Sequence, residues 1–155
     1  MFTKYGNRNG SYITDAVAEQ LINSAINAPV VGFFDPSTDT WSSHTGPTLA
    51  NAYGYIEEFL GWEPYEDTDG ITRDYAVFSV VLFTKYFEEA NKIMGQNQSM
   101  ELDINTITGD WVEIENNEYF VYQTAEILGC CVIGAHEPCF SVSAFFAQKD
   151  PELIS

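Results

Sequence analysis

Basic residues are scarce in this chain of 155 residues: six Lys and Arg stand against 23 Asp and Glu, a formal charge of −17. Binding along a nucleic-acid backbone needs cations to neutralise phosphates, so direct nucleic-acid contact is disfavoured. The same negative field would steer a basic partner or substrate inward. The acids are spread out, denser only at Glu57-Glu58, from Glu63 to Asp69 and from Glu113 to Glu118. Cysteines number three, and two of them, Cys130 and Cys131, are adjacent within the apolar run from Ile127 to Ile133. Neighbours on a strand point to opposite faces, so these two are expected neither to pair nor to share a metal. They read as buried, reduced core thiols, which suits a reducing cytoplasm. There is no CxxC and no His/Cys cluster, so no metal site and no cofactor site is expected. No apolar stretch approaches the roughly 18–20 residues of a membrane-spanning helix, and the opening Met1-Phe2-Thr3-Lys4-Tyr5-Gly6 lacks a signal-peptide run.

What is present is apolar and aromatic: 45% of residues are hydrophobic and 15% aromatic, enough to bury a core. The length predicts one domain over 1–155. Residues 1–12, polar and rich in Gly and Asn, read as a mobile or loosely docked arm, and 147–155 as a tail. Thr14 is a good N-cap with Asp15 and Glu19 following, and Val17, Leu21, Ala25, Ile22 and Ile26 recur at helical spacing until Pro29 stops the pattern. A second helix is predicted over Lys85 to Met94, with Tyr86, Phe87, Ala90 and Ile93 on its apolar face and Gly95 at its end. Strands are predicted from Val30 to Phe34, Ala52 to Trp62, Thr72 to Phe83, Ser99 to Ile107, Trp111 to Ile114, Tyr119 to Ala125, Ile127 to Ile133 and Phe140 to Phe146. Many short strands with few helices predict an α+β, mainly β fold: a small, partly closed antiparallel β-barrel with peripheral helices.

Two positions carry the chemistry. In Ser99-Met100-Glu101-Leu102-Asp103-Ile104 the residues alternate, so Met100, Leu102 and Ile104 share one strand face and Ser99, Glu101 and Asp103 the other. The alternation aims the Ser99 hydroxyl away from the core, and a serine on a rigid strand is a candidate nucleophile if a base reaches it. Only two histidines exist to serve, His44 in the polar loop Trp41-Ser42-Ser43-His44-Thr45-Gly46, and His136 in Ala135-His136-Glu137-Pro138.

Four stretches, in order and spacing, give the chain a family resemblance: Gly32-Phe33-Phe34-Asp35 with its loop to His44; Ala52-Tyr53-Gly54-Tyr55-Ile56; the helix-like run from Tyr86 to Ile93 leading through Gly95 to Ser99-Met100-Glu101-Leu102; and Leu128-Gly129-Cys130-Cys131-Val132-Ile133-Gly134 followed by Glu137-Pro138-Cys139-Phe140. Across residues 30–146 the chain resembles the prohead (head maturation) proteases of tailed phages, which share a fold with the herpesvirus assemblins. The resemblance implies a serine endopeptidase that cleaves capsid scaffold and its own chain inside the assembling prohead in the host cytoplasm. It implies scaffold protein and major capsid protein as substrates and is compatible with a homodimer. Ser99 would be the nucleophile and His44 the general base. The third member departs from the familiar pattern: Glu126 is the nearest match, Gly129 stands where some relatives carry the acid, and His136 and Glu101 are alternatives. Two other readings stand beside it: an inactive scaffold or capsid accessory protein of the same fold, and an acidic DNA-mimic inhibitor.

Overall fold

A computed structural model describes residues 1–7, 10–42, 50–136, 138, 140 and 143–146. In chain order its elements are β1 (Tyr5–Gly6), β2 (Ser11–Ile13), α1 (Asp15–Ala25), β3 (Pro29–Gly32), β4 (Phe34–Asp35), β5 (Thr40–Trp41), β6 (Asn51–Glu66), β7 (Thr72–Leu82), β8 (Asn97–Leu102), β9 (Thr108–Ile114), β10 (Asn117–Thr124) and β11 (Ile127–Gly134). Short 3-10 turns occupy Glu88–Lys92 and Ile104–Thr106.

The larger sheet has the order β7-β6-β3-β11-β8 and curls into a half-barrel. Bulges in β6 between Ile56 and Glu58 and between Phe59 and Gly61 help to bend it. A smaller sheet has the order β1-β2-β10-β9, and β4 and β5 form a separate ribbon. The fold is mainly β, as expected. The sheets are mixed rather than purely antiparallel, because β3 runs parallel to β11 and β2 parallel to β10.

Helix α1 forms where the pattern placed it. Thr14 Oγ1 accepts from the Val17 N–H at 3.3 Å, satisfying a first-turn donor. Val17, Ala18, Leu21 and Ala25 are its buried residues and join the core with Phe2, Val30, Tyr53, Ile56, Ile93, Cys130 and Val132. Trp41, Tyr53 and Phe87 stack edge to face through the core, with centroids 5.1 and 4.9 Å apart.

The structure corrects several expectations. The N-terminal segment is docked, not loose: Phe2 and Thr3 are buried, Ala76 N–H donates to the Phe2 carbonyl at 2.8 Å, and β1 and β2 enter the smaller sheet. Packing of Phe2 against Trp62 and Phe78 outweighs the polar composition around it. The helix expected over Lys85 to Met94 is a single 3-10 stretch. Its buried residue Ala90 and the buried C-cap Ile93 lie three apart, which that tighter helix aligns, while Phe87 is extended and packs on Tyr53. The strand from Ser99 stops at Leu102, where the Asp103 carboxylate caps the next turn by accepting from Asn105 N–H. Of the final expected strand the described residues retain one bridge, Ala144 to Asn97, and Phe140 is buried. The expected tail, 147–155, lies outside the described residues. Among the described residues, no helix is long and apolar enough to cross a membrane.

Candidate active site

Ser99 sits on β8, the edge strand of the larger sheet, directly opposite Cys131 of β11. The alternation read from the sequence holds within β8, where Met100 and Leu102 pack against the core cluster and Ser99 and Glu101 take the other face, but Ile104, expected on the Met100 face, lies beyond the strand in the 3-10 turn and is 80% exposed. That face is not open at Ser99. The residue is 3% exposed, and among the described residues its Oγ has no hydrogen-bond partner. The hydroxyl is thus turned from the main core yet enclosed, because the strand opposite brings Cys131, itself fully buried, against it.

Glu101 lies two residues along β8, about 7 Å away on the same face. The Cys131 thiol is pushed up to about 12, first by burial and then by the Glu101 carboxylate, and its Sγ donates to the Val132 carbonyl at 3.6 Å. A thiol so raised stays protonated and inert at neutral pH. Cys130, on the opposite face, is also raised to about 12 by burial and donates to Gln98 Oε1 at 3.0 Å. Both cysteines are therefore the buried, reduced thiols the sequence indicated.

His136 follows β11 in an exposed turn, its N–H donating to the Ile133 carbonyl at 3.1 Å. Its own carbonyl accepts from Asn97 Nδ2 at 3.1 Å, which ties the turn to the start of β8, two residues before Ser99. Gly134 makes this junction: its φ is +63°, and an added Cβ would lie 3.0 Å from the Trp41 carbonyl oxygen. Only glycine allows both that backbone and that approach. A cavity of about 1000 Å³ opens beside the junction, and Ser42, Trp41, Lys92, Gln96, Gly134 and His136 are among its lining. Lys92 and Asp39, both in its lining, form an ion pair, and this hydrogen-bonded carboxylate raises the Lys92 ammonium above its usual range.

Glu126 stands elsewhere. It precedes β11 at the end remote from His136, exposed, with its N–H donating to Thr106 Oγ1 at 3.0 Å. The register pairs Ile127 with Leu102, three residues beyond Ser99, so Glu126 is more than about 10 Å along the strand from the serine. His44 lies outside the described residues, and the described chain reaches Ser42, whose N–H donates to the Phe33 carbonyl at 2.8 Å.

A family model described as the YonD N-terminal domain matches residues 1–152. The chain belongs to that family. No curated protein and no solved structure matches it. The YonD N-terminal domain match covers every element described above, from β1 through β11. Among the described residues, no group of three or more His, Cys, Asp or Glu side chains is placed to hold a metal ion.

Sequence reasoning missed the Ser99–Cys131 pairing. The adjacent cysteines marked a buried strand, but which strand lay beside it depended on register, and register is set by the whole sheet. Gly134 was the available signal, since a glycine closing a buried strand marks a tight approach.

Proposed function

We propose that this domain is a serine endopeptidase of the prohead-protease kind, acting on capsid scaffold and on its own chain within the assembling prohead. The observation that carries the reading is the Ser99 Oγ, held on a strand, enclosed and, among the described residues, without a partner. Most buried polar groups are satisfied, and one left unmet costs about 1–3 kcal/mol, which a nucleophile's role would justify. The resemblance supports His44 as the base, since it is the one histidine of the sequence that precedes the serine strand.

In this reading Ser99 Oγ attacks the scissile carbonyl as its proton passes to the His44 ring. The ring returns that proton to the leaving amine, and water then hydrolyses the acyl-enzyme by the same route. His136, at the Asn97 end of β8, is the third member in preference to Glu126, giving an assemblin-like Ser/His/His arrangement. A second reading, an inactive accessory protein of the same fold, is favoured by the 3% exposure of Ser99. Co-expression with scaffold protein separates them. Cleavage that Ser99→Ala abolishes supports the peptidase; no cleavage by the unaltered chain, and no labelling of Ser99 by a fluorophosphonate, supports the accessory.

A further inference from the structure

We infer that the free edge of β9 is a docking strand for an extended, arginine- or lysine-bearing segment of a partner protein. In the smaller sheet, among the described residues, β9 pairs with β10 alone, and its residues are exposed or half-exposed throughout, Trp111 at 64% and Val112 at 42%. The β9–β10 turn has positive φ at both Glu115 and Asn116, the type I′ geometry. Residues flanking such a turn exchange both ladder hydrogen bonds, so Ile114, Val112 and Asp110 bond to β10. Gly109, Trp111 and Glu113 are left directing backbone N–H and C=O groups outward. A strand edge with free groups over about 14 Å is a template for an added strand.

The side chains state the partner's charge. Glu113 lies directly opposite Glu118, both exposed, and among the described residues neither enters an ion pair. Like charges opposite one another destabilise a hairpin. Trp111 and Phe120 are the next pair on that face, with rings 5.6 Å apart. A cationic side chain from an added strand would relieve the Glu113–Glu118 repulsion and rest on the Trp111 ring. A second copy of this chain, carrying the same net charge of −17, would meet repulsion instead. The inference is independent of any role for Ser99.

The test uses the full chain and a capped octapeptide of alternating Arg and Thr, titrated at low and at physiological salt. Binding is expected, weakened by salt, with amide-exchange protection gained at Gly109, Trp111 and Glu113. Trp111→Ala and Glu113→Gln should each weaken it about five-fold, and Glu58→Gln, on β6, should leave it unchanged. A peptide of equal charge interrupted by proline should lose most of the binding. Equal binding of the proline peptide, indifference to both β9 variants, or dimerisation through β9 in sedimentation would each overturn the inference. Both altered side chains are exposed, and circular dichroism checks that the variants fold.

Discussion

Ser99 and Cys131 face each other across the β8–β11 ladder, one with an unpartnered hydroxyl, the other with a thiol held neutral beside Glu101. The pair separates two effects that a serine variant would otherwise confound, stability and chemistry.

Ser99→Ala removes a buried hydroxyl that bonds to none of the described residues. The variant should be as stable as the parent or more so, by on the order of 1 kcal/mol, measured by urea unfolding. Scaffold cleavage should fall to background, since losing a triad serine costs about a millionfold in rate. Destabilisation by several kcal/mol would mean the hydroxyl has a structural partner.

The third member is ranked by position. His136→Ala should slow scaffold cleavage by one or more orders of magnitude, while Glu126→Gln, at the remote end of β11, should leave it near the parent rate. Single-turnover rates for the two variants decide; a large effect of Glu126→Gln with none from His136→Ala would reverse the assignment.

The thiols predict an alkaline limit. Burial raises Cys130 and Cys131 from 9.0 to about 12 in the fold. Above pH 9 the unfolded chain releases these protons while the folded chain keeps them. Stability is therefore fully present below pH 9 and is lost as pH rises toward 12. Denaturant midpoints across that window measure it. In a Cys139→Ser background, native thiol labelling at pH 8 should be slow and become fast in urea.

Arg73 holds a buried acid at the tip of the β6–β7 hairpin. Its guanidinium contacts Asp67 at 2.5 Å and Asp69 at 2.9 Å, and Tyr75 also donates to Asp67, which is only 8% exposed. Arg73→Ala strands that carboxylate and should cost about 3 kcal/mol in urea unfolding. Glu66→Gln, exposed nearby, should cost little.

Helix α1, the long strand β7 and the buried strand β11 were legible because each rests on a local signal: a Thr cap, an aromatic and β-branched run, a continuous apolar run; β6, whose local pattern fits strand or helix, needed its aromatic residues and the family resemblance to decide. Equally legible was the division of β8 into a Met100 face and a Ser99 face, since alternation is a property of any strand. What surrounds those faces was not legible. Phe2 is buried through contacts with residues some 60 and 76 positions away, and the run from Lys85 to Met94 gave up helix for the packing of Phe87 on Tyr53. The burial of Ser99, its place opposite Cys131 and the distance of Glu126 follow from β8 pairing with β11 in one register. A single-residue slip would turn every one of those side chains to the other face, and only the closed set of contacts across the sheet prevents it.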